Sequence, residues 1–188
     1  MPSSPHASRL NIPAFAAEGV PLVSSTLLQN MERLKQELCG LGPDSTINWQ
    51  AMAELRPGAG DEADVWLRLT ASASVPLTCQ RCLTAVDCPI EVDQWYRFVA
   101  TEEIAMAEDD ESEEDLLVME PQFDLLAVLE DELIMALPLV PMHGVCPVTV
   151  QLPTDTLEVA ESVEKPNPFA VLAQLKKPVK DVKKDAKK

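Results

Sequence analysis

Three cysteines and one histidine fall into two pairs of equal internal spacing, Cys79-Gln-Arg-Cys82 and His143-Gly-Val-Cys146. Thiolate and imidazole are zinc-binding side chains, and a Cys-x-x-Cys turn joined by a second pair makes Cys3His, a closed structural set. Sixty residues lie between the pairs, however, and Leu83 stands where zinc knuckles often carry glycine. On these grounds ordinary cytosolic thiols are favoured over zinc. Thioredoxin-like redox chemistry ranks below both, because no βαβ pattern surrounds the motif. No cofactor other than zinc at this set is expected. Cys88 alternates with apolar neighbours and reads as a buried small hydrophobe, and Cys39 reads as a packed thiol.

Glu130, Asp131 and Glu132 form the second group with chemical potential. On a helix, three successive side chains fan over more than half the circumference, so they cannot converge on one ligand. A solvated face with one carboxylate at its border is the expectation, and Arg81 is a candidate partner that would tie the hairpin turn to this helix. Histidine occurs only as His6 and His143, and the chain holds no Gly-rich phosphate loop, nucleophile elbow or Ser/His/Asp set. A catalytic role therefore has no residues to carry it, and the protein is expected not to be an enzyme. Trp49, Trp66, Trp95, Tyr96 and the phenylalanines are scattered rather than grouped for stacking on bases.

The elements that must position these groups centre on Asp124–His143, DLLAVLEDELIMALPLVPMH. Apolar residues at helical spacing, the Asp124 cap and the Pro138 stop predict a helix over 125–136. Alternation at Ile47, Trp49, Ala51, Ala53 and Leu55, then at Val65, Leu67, Leu69 and Ala71, then on even positions from Val86 to Phe98, predicts three strands with CQRC at a turn. The spacing of Leu27, Leu28, Met31, Leu34 and Leu38 predicts a helix over 24–39. Residues 102–120 carry ten acidic side chains in nineteen positions and are expected to form a mobile, solvated loop. The fold class expected is α+β, an antiparallel meander packed by helices, with a small β-barrel as the alternative. Residues 1–164 would form the single domain.

Residues 165–188 would form a docking helix and a basic tail. Asn167 caps the helix, Pro178 stops it, and Phe169, Val171, Leu172 and Leu175 give it an apolar side for docking. The chain carries a net charge of −16, whereas residues 165–188 carry +6, which leaves −22 for residues 1–164. The acidic body suits basic protein partners, and Lys176, Lys177, Lys180, Lys183, Lys184, Lys187 and Lys188 are the candidates for RNA contact. MPSSPHASRL lacks the apolar core of a signal peptide, and no apolar run approaches the ~20 residues of a membrane helix. A cytoplasmic protein with no membrane partner is the expectation.

CQRC, DLLAVLEDELIMALPLVPMH and KPNPFAVLAQLKK together closely resemble the bacterial YceD family, the large ribosomal RNA subunit accumulation proteins. The resemblance implies a non-enzymatic role in synthesis, processing or stability of 23S rRNA during large-subunit assembly. The implied partners are the assembly intermediate, a basic ribosomal protein and 23S rRNA. Some relatives carry further C-terminal cysteines in a metal-binding pattern; this chain has only Cys146 there.

Overall fold

The computed structural model describes residues 6–40, 45–58 and 63–148. The chain divides into two units, Met1–Val150 and Gln151–Lys188, and the second lies outside the described residues. The first unit is a five-stranded sheet with helices, an α+β fold. Its strands are β1 (Leu22–Leu27), β2 (Thr46–Pro57), β3 (Ala63–Thr78), β4 (Ala85–Val99) and β5 (Asp115–Val118), in spatial order β1-β2-β3-β4-β5. The first four pair antiparallel and β5 joins β4 in parallel. Among the described residues β5 does not pair back to β1, so the sheet is open and the barrel alternative is excluded.

Period-two alternation carries the meander. Ile47, Trp49, Ala51 and Ala53 share one face with Val65, Leu67, Leu69, Val75, Val86, Ile90, Tyr96 and Phe98, and all are buried. Full burial of a leucine such as Leu67 or Leu69 contributes ~1.5–3 kcal/mol. Leu55, expected on that face, is instead half exposed near the strand end. Helix α1 (Ile12–Glu18) buries Ile12, Phe15 and Ala16; it starts where the Asn11 side chain accepts the Ala14 N–H and stops at Gly19, whose φ of 62° a side chain would resist. Helix α4 (Leu125–Met135) lays Leu125, Leu129 and Leu133, one turn apart, into the same core. Asp124 caps it by accepting the N–H groups of Leu126 and Ala127, as its sequence predicts.

Two expectations need correction. Residues 24–39 are not one helix: Leu22–Leu27 is an edge strand, Leu28–Asn30 a 3₁₀ turn, and α2 a single turn at Leu34–Glu37. Ser24, Ser25 and Thr26 favour the ladder to β2, while buried Leu28, Met31 and Leu34 recur every three residues, the period of a 3₁₀ turn rather than an α-helix. The acidic stretch 102–120, expected as a loop, contains helix α3 (Glu102–Glu108) and strand β5. Arg97 on β4 anchors it through Glu108 at 2.8 Å, Glu114 at 2.9 Å and the Ser112 hydroxyl at 3.0 Å.

Candidate metal centre

The hairpin between β3 and β4 reverses within Cys79–Thr84, where the Cys79 N–H donates to Thr84 O (2.9 Å) and the Leu83 N–H returns to Cys79 O (2.9 Å). This closes a knuckle around the first sulfur. Leu83 takes φ 60°, the left-handed geometry that glycine usually supplies; its side chain points into solvent, so leucine stands there at a conformational cost. After α4, residues 137–148 run back past this knuckle. Gln80 N–H donates to Pro141 O at 2.9 Å, and the Arg81 guanidinium donates to His143 O (2.9 Å), Gly144 O (3.4 Å) and Cys146 Sγ (3.0 Å). Arg81 therefore serves the loop, not the carboxylates of α4 to which its sequence assigns it.

These bonds bring the two distant pairs together. One donor atom from each of Cys79, Cys82, His143 and Cys146 lies within 4.8 Å of every other. Cys79 Sγ is 4.0 Å from Cys146 Sγ, and Cys82 Sγ is 3.4 Å from His143 Nδ1. Tetrahedral zinc with bonds of ~2.3 Å to sulfur and ~2.0 Å to nitrogen would set donor edges of about 3.5–3.8 Å. The donors are thus at near-ligating separations, and their chemistry fits a structural zinc ion.

The electrostatics favour thiolate at Cys79 and Cys82 and oppose it at Cys146. Burial opposes ionisation of Cys79, but the backbone N–H groups of Cys82, His143 and Arg81 and the His143 ring outweigh it and lower the thiol to about 5. Cys82 is also lowered, first by the Thr84 hydroxyl at 3.2 Å. Burial pushes Cys146 up against the pull of Arg81, and the thiolates of Cys79 and Cys82 raise His143. A divalent cation there would hold all three sulfurs as thiolates, and the adjacent Arg81 guanidinium would offset the one net negative charge left.

Residues 67–176, more than half of the chain, match the family described as Large ribosomal RNA subunit accumulation protein YceD. The chain belongs to the YceD family. A YceD relative from Haemophilus influenzae, named as a large ribosomal RNA subunit accumulation protein, is 41% identical over 111 residues, 54% of this chain. The match spans 60% of that relative's length. No solved structure matches. The YceD match begins inside β3 and contains the knuckle, α4 and all four cluster residues.

The acidic triplet diverges as its spacing requires, but its face is not simply solvated. Glu130 is buried and accepts the backbone N–H groups of Arg33 (2.6 Å) and Leu34 (3.0 Å), capping α2 from another helix, while Arg33 Nε reaches its second oxygen at 3.2 Å. Asp131 pairs with the same guanidinium. Glu132 accepts the Tyr96 hydroxyl at 2.6 Å, and burial together with this carboxylate raises the phenol's pKa. The scattered tryptophans also converge: Trp66 and Trp95 meet edge to face at 6.3 Å on the outer sheet face, with the Arg56 guanidinium 4.3 and 4.2 Å from their ring centres. Only the strand register reveals that pair. The expected docking residues Phe169, Val171, Leu172 and Leu175, and the lysines from Lys176 to Lys188, lie outside the described residues.

Proposed function

We propose that this chain acts in ribosome biogenesis as a non-enzymatic factor supporting synthesis, processing or stability of 23S rRNA while the large subunit assembles. The YceD match carries this reading, because it covers the knuckle, α4 and the whole cluster. In it the acidic body engages a basic protein partner, the Phe169–Leu175 side chains dock on the assembling particle, and the tail lysines contact RNA. The setting is the cytoplasm. Zinc held by Cys79, Cys82, His143 and Cys146 would supply folding energy rather than catalysis, since four protein donors leave no open position for substrate.

Gradient sedimentation of cell extracts provides the test. The protein is expected with precursor large subunits, and cells lacking it are expected to accumulate less 23S rRNA. Purified protein that cleaves or modifies 23S precursor without any other factor would overturn the non-enzymatic reading. Absence from every assembly fraction would overturn the reading as a whole.

A further inference from the structure

Helix α3, strand β5 and the start of α4 enclose a groove of about 400 Å³ that the metal cluster and the carboxylate network of α4 do not use. Its apolar lining includes Val118, Ala127 and Val128, and Glu102, Glu120 and Asp124 also line it. The volume lies in the ~300–1,000 Å³ range of ligand-binding clefts in general. Ala127 is exposed, and Val118 and Val128 are half-buried, so the lining is accessible. Strand β5 pairs only with β4 among the described residues, which leaves one side of its backbone unpaired beside the groove.

Only some of the carboxylates on the acidic body are compensated by a cation. Glu108, Glu114, Glu130 and Asp131 each meet an arginine. Glu102, Glu120 and Asp124 form no ion pair among the described residues, and Asp124 uses only Oδ1 to cap α4. An apolar lining with three uncompensated carboxylates is complementary to a segment that presents apolar anchors flanked by lysine or arginine. Phosphate backbones are repelled by the same carboxylates, and the acidic residues 1–164 of a second copy bring like charge.

We infer that this groove docks a basic amphipathic segment of a protein partner. The inference rests on the reading that the acidic body engages a basic partner, and it places the contact between α3, β5 and α4. Anchors enter the apolar lining while flanking cations meet Glu102, Glu120 and Asp124.

The test uses the full chain and two fluorescein-labelled peptides of identical leucine and lysine composition. One gathers its leucines at helical spacing; the other spreads them around the helix. Anisotropy should show the first bound at least tenfold more tightly than the second. The combined variant Ala127→Lys, Glu102→Gln and Glu120→Gln should lose that tenfold preference with an unchanged circular dichroism spectrum. Glu18→Gln with Glu111→Gln, which removes exposed acids outside the groove, should stay within twofold of wild type. Equal binding of the two peptides by wild type would overturn the proposal, as would equal losses in the two variants. Displacement of the peptide by single-stranded RNA, with RNA binding lost in the groove variant, would assign the site to RNA and overturn it too. Unaltered co-sedimentation of the groove variant with precursor subunits overturns the groove alone, whereas wild type absent from those fractions overturns the assembly reading whatever the peptides do.

Discussion

Glu130 provides a direct test of how α4 holds the N-terminal half of the fold. Its Oε1 accepts two backbone N–H groups at the start of α2, and its Oε2 faces Arg33 Nε. In Glu130→Ala the Leu34 N–H is left buried without a partner, at ~1–3 kcal/mol, whereas water can reach the half-exposed Arg33. The ion pair itself adds at most ~1 kcal/mol because the Arg33 side chain is 49% exposed. The expected loss is about 3 kcal/mol for Glu130→Ala. Glu130→Gln keeps Oε1 for both N–H groups and turns only an amide toward Arg33 Nε, so about 1 kcal/mol is expected. Urea unfolding followed by tryptophan fluorescence measures both, with an unchanged slope as the control. An alanine variant losing under 1 kcal/mol, or a glutamine variant losing as much as alanine, would refute the capping argument. The pH dependence gives a second readout. Burial tends to raise the Glu130 pKa, but the Leu34 and Arg33 donors bring it below the ordinary carboxylate value. A depressed folded pKa means that the carboxylate's contribution is complete above the unfolded value of ~4.3 and is lost as pH falls through the folded value. Glu130→Gln should remove that part of the acid sensitivity.

Other expectations concern the knuckle. Protein purified without added metal should carry one equivalent of zinc by elemental analysis, and Cys82→Ser should lose it; freshly purified reduced protein without metal would leave the four donors a thiol cluster. Arg81→Gln removes the bonds to His143 O, Gly144 O and Cys146 Sγ and should lower zinc affinity by ~10–100-fold in chelator competition, with the metal still bound at saturation. At Leu83, Gly relieves a left-handed cost of ~1–2 kcal/mol against ~0.5–1 kcal/mol of added chain entropy, so Leu83→Gly should be neutral or slightly stabilising in urea. Leu83→Val, β-branched at the same φ, should lose ~1 kcal/mol or more.

The legible parts of the fold are those whose burial follows one period. Strands β2, β3 and β4 alternate cleanly because only one sheet face is covered, and α4 carries an Asp cap, a leucine stripe and a proline stop. Helix α1 has the same kinds of signal in Asn11, Pro13 and Gly19, but a two-turn helix shows too few apolar positions for its period to stand out. Strand β5 is hidden for a different reason. Leu116, Leu117 and Val118 are all half-buried at a sheet edge, so their burial does not alternate, and ten acids surround them. Each half of the cluster was visible as a spaced pair, while its closure depends on α4 and the length of loop that returns the chain to the knuckle. Leu83 argued against a knuckle from sequence because a positive φ at leucine cannot be read from residue type.

The loop after α4 explains why a metal would matter in this fold. From Leu139 to Val148 most large apolar side chains face solvent: Leu139 is 99% and Val145 89% exposed, and Val140, Met142 and Val148 are more than half exposed, while Pro141 is buried and Cys146 packs against the core. Burial holds the segment only at Pro141 and Cys146, less than it holds α4, whose leucines reach the core. The rest of what fixes it is polar and local: Gln80 on Pro141 O, Arg81 on three acceptors, and the approach of His143 and Cys146 to the two knuckle cysteines. Exposed hydrogen bonds of that kind are each worth about 1 kcal/mol, less than the backbone entropy of ordering ten residues at roughly 1–2 kcal/mol each. A four-donor centre at the point where loop and hairpin meet would close the difference, as structural metals do where a segment lacks a core of its own. Zinc in this position would act as the substitute for hydrophobic packing that keeps the loop and its exposed apolar side chains in one defined arrangement.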